Sequence, residues 1–271
     1  MKSSTKLSEK IILKNLDNKD FFKIMILDTT SSTNTEAKKI AENDGSEGTL
    51  IIADTQTSGK GRMGRSFSSP QGCGIYMSLI LKPDFAAERA LLITTLAATA
   101  VSKAIENLTD KKTGIKWVND IYIDNKKVCG ILTEAVSKAH SNELKFVVLG
   151  IGINVTKPQK GFPEELKDIA CSIFKHGKTP DHFRNKLIAE VLNEFMKEYP
   201  NLLNCSFLDY YREKSILTGK RVNILKCNEI CGEATVLDID DNFGLTVRYD
   251  DGKIETISSG EVSVKKKDEN E

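Results

Sequence analysis

Three β-type runs follow one another in residues 115–155 with no helical segment between them. They read IKWVNDIYI (115–123), KKVCGILTEAV (126–136) and KFVVLGIGINV (145–155). The dipeptide Asp124-Asn125 separates the first two runs, and two-residue turns of this kind join the strands of a hairpin. Because strands joined by short turns pair in antiparallel fashion, this region predicts an antiparallel sheet.

Alternation along the first run predicts which side chains share a face of the sheet. Two opposite sets are expected: Lys116, Val118 and Asp120 against Trp117, Asn119 and Ile121. Trp117 is expected in the core. Lys127 begins the returning strand and, considered alone, could simply face solvent.

The remaining residues before about 215 mix strand and helix patterns. Strands are predicted at 21–27, 49–55 and 75–81, and helices at 84–108, 181–199 and 206–214. A further helix is predicted to begin near Ser32 or Thr33 and to end at Gly45, with Thr33 and Glu36 forming a capping box. Together these elements predict an α+β fold with a mixed, largely antiparallel sheet flanked by helices.

The pattern changes at Thr218-Gly219. Five short strands follow within about fifty residues: RVNILK, EATVLDI, GLTVRY, KIETIS and EVSVK. Such a density of short strands predicts a small β-barrel with its own core. The predicted division is an N-terminal extension at 1–20, a main domain at 21–215, the barrel at 216–265 and a solvated tail at 266–271.

Bulk composition is that of a soluble globular protein, with 39% hydrophobic and 28% charged residues. A net charge of +1 gives no overall attraction to nucleic acid or anionic lipid. No secretory signal is evident, and no run approaches the ~18 apolar residues of a membrane helix. We therefore expect a cytoplasmic protein without a membrane partner, whose six cysteines are reduced thiols.

Two familiar site patterns fail. Cys227 and Cys231 are four residues apart, but no histidine lies at zinc-ligand spacing from them. HGKTP contains the GKT of a P-loop, yet Ser172 stands where the motif needs its first glycine, and no strand precedes it. Neither a structural zinc site nor a P-loop is predicted.

The stretch TSGKGRMGRSFSSPQGCG, residues 57–74, contains five glycines and three cations. It satisfies GxGxxG, but the dinucleotide-binding motif needs a helix at its glycines, and Pro70, Gly72 and Gly74 prevent one here. Two interpretations remain: a solvated hairpin connection, or a loop that wraps an anion and orders on binding. Its length favours the second, because long irregular connections are usually binding loops or lids. Glycines let backbone amides approach a ligand, and the cations meet phosphate or carboxylate oxygens.

Taken together, these segments resemble the catalytic domain of biotin protein ligases, also called holocarboxylase synthetases. Four blocks stand in the family's order: SSTN (31–34), ADTQTSGKGRMGRSFSSP (53–70), KWVNDIYIDNKKVCGIL (116–132) and GIGINV (150–155). The resemblance covers roughly residues 20–265. It implies a class II synthetase-like catalytic domain followed by an SH3-like C-terminal barrel.

The resemblance also implies a reaction in two steps. Biotin and ATP, with Mg²⁺, give biotinyl-5′-AMP and pyrophosphate, and the biotinyl group then passes to a lysine of a biotin carboxyl carrier domain. No bound prosthetic group is implied. Since a carboxylate must meet a triphosphate, and unit charges ~4 Å apart repel by ~1 to 4 kcal/mol depending on the local dielectric, cations are needed at the junction.

Site residues are carried over from the family position by position. Lys127, Arg62 and Asp120 are the expected catalytic residues, and Asp120 is also the candidate for magnesium contact. The expected biotin contacts are Ser32, Thr33, Asn34, Gln56, Gly59, Lys60, Gly61, Arg62, Lys127 and Gly130. The expected ATP or adenylate contacts are Lys60, Arg62, Arg65, Phe67, Asn119, Asp120, Lys127 and Asn154.

Three positions depart from the family pattern. Lys60 stands where many relatives have Arg, Phe67 where Trp is frequent, and Val118 where Pro is usual. Lysine keeps the charge of arginine but loses its two-pronged hydrogen bonding. The departures concern ligand affinity and loop ordering more than the class of reaction.

Other functions remain as alternatives. Some family members carry an N-terminal helix-turn-helix and repress transcription, but only about twenty residues precede the first predicted strand here, so no sequence-specific DNA binding is expected. A homodimer is compatible with the resemblance. The alternative functions are a lipoate or octanoyl ligase or transferase of the same superfamily, and a non-catalytic biotin-binding protein.

Overall fold

The computed structural model describes residues 6–226, 229–258 and 263–266. Its main sheet has seven strands in the order β1-β2-β3-β7-β6-β5-β4, of which only β1 and β2 are parallel neighbours. The strands are β1 (Lys23–Thr30), β2 (Thr49–Gln56), β3 (Gly74–Leu81), β4 (Gly114–Lys116), β5 (Asp120–Ile123), β6 (Lys126–Ser137) and β7 (Leu144–Asn154). The predicted mixed, largely antiparallel sheet is confirmed.

The single strand predicted at 115–123 is wrong. β4 and β5 fold back on each other, so that Lys116 pairs with Asp120 and residues 117–119 form the reversal. Trp117 and Val118 both enter the core, and the predicted alternation therefore fails at Val118 and Asn119. The reversal is held from outside the hairpin: Tyr211 Oη donates to the Val118 carbonyl at 3.0 Å, and Ile131 N donates to the Asn119 carbonyl at 3.0 Å.

Within the described part of the chain, five α-helices flank the sheet: α1 (Glu9–Asn15), α2 (Thr33–Glu42), α3 (Leu91–Leu108), α4 (Phe183–Glu198) and α5 (Leu208–Glu213). The helices predicted at 84–108, 181–199 and 206–214 are confirmed with shorter bounds. The predicted capping box of α2 is wrong. Ser32 is its N-cap, and the Thr33 hydroxyl instead donates to Gln56 Oε1 at 3.1 Å.

The two faces of the sheet differ in character. One face is apolar along its length and is covered by α3 and α4, where Leu79, Leu149 and Ile131 join the main core. The other face is apolar only beneath α2, where Ile51, Ile80 and Val148 pack against Ala37 and Ala41. Beyond α2 this second face carries glycines and polar side chains, which makes it the place where a ligand can reach the sheet.

Helix α3 is buried on nearly every side. Within the described helices, Ala87–Leu108 is long and apolar enough to cross a membrane by length and composition, and 72% of that window is buried inside the molecule. This helix is more apolar than predicted from the sequence. Its burial between the sheet and α4 identifies it as a core helix.

The C-terminal sheet has five strands in the order β11-β10-β9-β8-β12: β8 (Arg221–Lys226), β9 (Glu229–Ile239), β10 (Leu245–Tyr249), β11 (Ile254–Ile257) and β12 (Ser263–Lys266). All of its pairings are antiparallel. It packs on the reversal between β4 and β5, where Trp117 Nε1 donates to the Phe243 carbonyl at 2.8 Å. The predicted domain boundary at 215/216 stays a prediction. Cys227 and residues 267–271 of the predicted tail lie outside the described residues.

Residues 6–20, predicted only as an extension, add Leu7, Ile12 and Leu16 to the main core. Two asparagines of α4 hold the ends of α1. Asn185 accepts from Ser8 N at 2.7 Å and donates to the Lys6 carbonyl at 2.9 Å. Eight residues further along, Asn193 accepts from Asp17 N at 3.0 Å and donates to the Asn15 carbonyl at 3.0 Å.

This pair predicts a specific loss of order. In the double variant Asn185→Ala/Asn193→Ala, four hydrogen bonds to the backbone around α1 are lost, each contributing about 1 kcal/mol. We expect amide hydrogen exchange to accelerate in residues 6–17, with a fall of several degrees in Tm. The control is Asn43→Ala, whose side-chain amide donates to the Lys39 carbonyl of α2. Exchange at 6–17 unchanged from wild type would show that the two asparagines do not hold the helix.

Candidate active site

Two adjacent glycines, Gly152 and Gly130, form the floor of the candidate site. Strand register places Tyr76, Gly152, Gly130 and Asp120 side by side across β3, β7, β6 and β5. A Cβ atom at Gly152 would lie 2.6 Å from the Phe67 ring, and one at Gly130 would lie 3.0 Å from Lys127 Cε. The Phe67 ring and the Lys127 side chain thus occupy space that the glycines leave open.

Lys127 reaches this floor because of a β-bulge. Tyr122 pairs with Lys127 and Ile121 with Cys129, so Val128 is an extra residue on β6. Without the bulge, residues 127 and 130 would point to opposite faces. The extra residue aims both at the same face, and Lys127 Nζ lies 2.7 Å from Asp120 Oδ1.

The loop predicted from glycines and cations is folded onto the same face. Gly61 N donates to the Arg65 carbonyl at 2.7 Å, and Phe67 N donates to the Gly59 carbonyl at 2.8 Å. Arg62 Nη1 donates to Asn119 Oδ1 at 2.9 Å, which ties the loop to the reversal between β4 and β5. Asn119 is itself fixed by donating to the Ile131 carbonyl at 2.8 Å.

Polar side chains at the start of α2 line the other end of the site. Gln56 Oε1 accepts from Thr33 N at 2.8 Å, and Gln56 Nε2 donates to Ser69 Oγ at 2.8 Å. Asn34 stands over Gly150, where an added Cβ would lie 2.1 Å from its Oδ1. Thr33 and Asn34 are 3% and 4% exposed, and both line the adjoining cavity.

Two adjoining cavities share one wall. The residues that line the inner cavity include Ser32, Thr33, Asn34, Gln56, Lys60, Gly61, Arg62, Phe67, Asn119, Lys127 and Gly130. The outer cleft is lined by Arg65, Lys116, Trp117, Asp120, Tyr122 and Asn154, among others. The residues common to both are Gly61, Arg62, Phe67, Asn119 and Lys127. Two cations, Arg62 and Lys127, therefore stand at the junction of the two spaces.

The structure brings nearly all of the predicted site residues together. All of the predicted biotin contacts except Gly59 line the inner cavity. Gly59 is a buried residue of the loop itself, where an added Cβ would lie 2.4 Å from the Phe67 carbonyl oxygen. The predicted ATP contacts line the outer cleft except Lys60, which lines the inner cavity only. The roles assigned to these residues stay predictions.

Sequence reasoning missed several residues around the two cavities. Tyr76, Met77, Ile131, Leu132, Gly150, Ile151 and Gly152 line the inner cavity, and Lys116 and Tyr122 line the outer cleft. The glycines of GIGINV were visible as a motif, but only register shows that they face the cavity. Burial, with a further contribution from the charge of Asp120, raises the pKa of Tyr122 to about 12.

Burial also lowers the pKa of the Arg62 guanidinium, and the negative charge of Asp120 opposes that effect. An arginine stays protonated through such a shift. Burial removes part of the hydration of the guanidinium. Its attraction to a phosphate or carboxylate is therefore stronger than that of an exposed arginine.

Metal-binding capacity is limited. Within the described residues, no group of three or more His, Cys, Asp or Glu side chains is placed to hold a metal ion. Asp120 contributes one carboxylate to the outer cleft, and one of its oxygens already contacts Lys127. This fits a Mg²⁺ ion that arrives with a nucleotide and keeps phosphate and water ligands, rather than a dedicated protein cage.

Residues 26–154 match the Biotin/lipoate A/B protein ligase family, and residues 217–265 match the Biotin protein ligase C terminal domain. The chain is 30% identical over 245 residues to the biotin–[acetyl-CoA-carboxylase] ligase of Mycobacterium tuberculosis, a match that covers 86% of this chain and 85% of the relative. The chain belongs to the biotin protein ligase family. The SH3-like character expected of its C-terminal sheet accords with the second match.

Other members of the family match as follows. The bifunctional ligase/repressor BirA of Bacillus subtilis is 44% identical over 181 residues, covering 66% of this chain and 54% of the relative. The chain thus spans about half the length of that relative. A biotin protein ligase from Aquifex aeolicus, solved in complex with biotin and ATP, is 30% identical with a TM-score of 0.72, covering 90% of this chain and 99% of the other.

The bond between Arg62 and Asn119 predicts how the loop responds to mutation. Trypsin cuts after Lys60, Arg62 and Arg65 only where the loop opens. Asn119→Ala removes the acceptor for Arg62, so we expect cleavage in the loop to accelerate by about tenfold, the equivalent of one lost hydrogen bond to a charged group at the lower end of its range.

Asn119→Asp is the matched control. It loses the same bond to the Ile131 carbonyl but keeps an acceptor for Arg62, and we expect cleavage no faster than in wild type. Equal cleavage of the two variants would show that Arg62 is not what holds the loop.

Proposed function

We propose that this protein is an ATP-dependent biotin protein ligase. The observation that carries the proposal is the junction of the two cavities, where Arg62 from the loop and Lys127 from β6 line both spaces. A reaction that joins a carboxylate to a phosphate needs its cations at such a junction. Family membership supplies the identity of the acid and the nucleotide.

In the first step a carboxylate oxygen of biotin attacks the α-phosphorus of ATP. A new P–O bond forms, the bond to the β-phosphate oxygen breaks, and pyrophosphate leaves with the electron pair. Lys127 and Arg62 offset the repulsion between the carboxylate and the phosphate oxygens, and this stabilisation grows as charge concentrates in the transition state. No proton is transferred in this step.

In the second step a lysine amine of the acceptor attacks the biotinyl carbonyl carbon. An amide bond forms, the C–O bond to AMP breaks, and AMP leaves as an anion. The attacking nitrogen must lose a proton, and Asp120 at the outer cleft is our candidate to accept it or to contact magnesium. In the first of these roles Asp120 has to exchange its contact with Lys127 Nζ for one with the incoming amine.

The two cavities divide the ligands between them. The inner cavity, with Thr33, Asn34 and Gln56 at its closed end, takes biotin. The outer cleft takes MgATP, a substrate, between the loop and the Trp117, Tyr122 and Asn154 side. The loop shields the mixed anhydride from water when Arg62 and Phe67 cover it.

We further propose a cytoplasmic enzyme that modifies a biotin carboxyl carrier protein and makes no sequence-specific DNA contact. The proposal for the partner follows from relatives named as ligases of acetyl-CoA carboxylase. Homodimer formation stays a prediction, for which sedimentation in the presence and absence of biotin is the test.

The experiment that tests the function compares acids. With MgATP and wild-type protein, we expect pyrophosphate release with biotin and biotinyl transfer when a carrier domain is added, and neither with lipoate or octanoate. Release with lipoate but not with biotin would assign the chain to the other branch of its superfamily. Biotin binding without pyrophosphate release would make it a non-catalytic binding protein.

Substitution of Lys127 tests where the catalytic charge lies. Lys127→Ala should lower the rate of pyrophosphate release by at least about 100-fold, the typical cost of removing one preorganised charge-stabilising group. Lys126→Ala is the matched control, since the neighbouring Lys126 side chain donates to the Lys167 carbonyl and lines neither cavity. It should stay within about twofold of wild type. Similar rates for both variants would refute the catalytic role of Lys127.

A further inference from the structure

Glu134 lies outside both cavities but contacts a residue that lines one of them. It stands on β6 two residues beyond Leu132, on the sheet face that carries Gly130. Its Oε2 accepts a hydrogen bond from Asn34 Nδ2 at 2.7 Å. The Leu132 carbonyl accepts from the same Asn34 nitrogen at 3.4 Å.

These two acceptors fix the orientation of the Asn34 amide. A carboxylate and a carbonyl can only accept, so the NH₂ group must face them and Oδ1 must face the other way. Oδ1 then meets Ser78 Oγ at 2.6 Å. The negative end of the Asn34 amide is therefore turned toward Ser78 and Gly150, and Gly150 lines the inner cavity.

Ser78 lies between two acceptors and has one hydrogen to donate. Its hydroxyl is 2.6 Å from Asn34 Oδ1 and 2.8 Å from Thr33 Oγ1. Thr33 cannot supply the missing hydrogen, because its own hydroxyl donates to Gln56 Oε1. From Gln56 the bonds continue in one direction through Ser69 to the Phe67 carbonyl.

The chain of hydrogen bonds thus has an acceptor at each end, Glu134 and the Phe67 carbonyl, and is one hydrogen short in the middle. Either Asn34 Oδ1 or Thr33 Oγ1 is left with an incomplete set of donors. Both residues line the inner cavity and are almost fully buried. A buried acceptor without a full donor set is costly, so the site gains when a ligand brings an N–H group to it.

We infer that Glu134 is a positioning and specificity-determining residue that makes the closed end of the inner cavity an acceptor for ligand N–H groups. The inference rests on the proposed function and concerns how the acid is selected. The cyclic urea of biotin carries two N–H groups, whereas lipoate and octanoate carry none at the corresponding end. Without Glu134 the Asn34 amide is free to turn its NH₂ group toward Ser78. The turned amide then presents a donor to the ligand N–H groups, and the preference for an acid that carries N–H groups is lost.

The test is isothermal titration calorimetry of biotin with wild type, Glu134→Ala and Glu134→Gln. We expect Glu134→Ala to weaken binding on the order of tenfold, the cost of one mispaired buried polar group. Glu134→Gln should restore the affinity to within about threefold, because its amide oxygen can still accept from Asn34 while Leu132 holds the orientation. Glu143→Ala removes an exposed carboxylate that pairs with Lys138 and serves as the control, with unchanged affinity.

Two further measurements separate selection from general damage. In pyrophosphate release, Glu134→Ala should raise the KM for biotin and leave kcat within about twofold, since the junction cations are intact. Methylation of a urea nitrogen of biotin should weaken binding to wild type more than binding to Glu134→Ala, because only wild type presents the acceptor.

The outcomes are distinct. Wild-type affinity in Glu134→Ala, or equal losses in Glu134→Ala and Glu134→Gln, would overturn the inference while leaving the ligase function in place. If Glu134→Ala fails to fold, the near-isosteric Glu134→Gln decides, and a tenfold loss there overturns the inference. Absence of biotin binding to the wild type would overturn the proposed function, and this inference with it.

Discussion

The site depends on three glycines that lie close together in the main sheet. Gly130, Gly150 and Gly152 come into line because antiparallel register sets β6 beside β7. Each glycine is covered by a residue from elsewhere: Lys127 over Gly130, Asn34 over Gly150 and Phe67 over Gly152. A methyl group at either glycine of β7 would collide with the residue above it. The cost would fall on ligand contacts rather than on the core, because the opposite face of the same strands holds the buried aliphatic residues.

Two departures from regular β-structure then bring charge to that floor. The bulge at Val128 turns Lys127 toward Gly130, and the reversal between β4 and β5 brings Asn119 within reach of Arg62. The two features are linked, since Asn119 is bonded through its side chain and backbone to Ile131 of β6. Loop, hairpin and bulged strand are therefore one hydrogen-bonded unit. A change in any of them shifts the cations relative to each other, and charge stabilisation of a reacting group is sensitive to shifts of this size.

Much of this architecture could be predicted because local patterns agree with the tertiary structure. Apolar runs predict the strands at 49–55 and 75–81, and turn residues predict the turn at Asp124-Asn125. In each case the local pattern and the tertiary structure agree. The reversal at 117–119 could not be predicted, because Val118 and Trp117 read as strand residues and are turned by contacts with Tyr211 and Phe243, almost one hundred or more residues away. Likewise, alternation assigns Lys127 to the face of Cys129, and only the register with β5 reveals the extra residue. The family motifs identified Lys127 and Arg62 as partners without showing why they meet.

The placement of Glu134 behind Asn34 allows the cavity to select an acid with N–H groups without exposing a carboxylate to that acid. A cavity that receives a carboxylic acid cannot carry an exposed carboxylate of its own, because the two anions would repel each other. A neutral acceptor alone does not define its own orientation, since an asparagine amide can present either end. Setting the carboxylate behind Asn34 meets both requirements: the charge fixes the amide, and the amide presents only a dipole to the ligand. Two positive charges, Arg62 and Lys127, stand instead at the junction with the outer cleft, where the acid meets the phosphate. Polarity therefore runs along the inner cavity from a neutral acceptor at its closed end to cations at its open end, and this gradient orients an acid whose other end carries N–H groups.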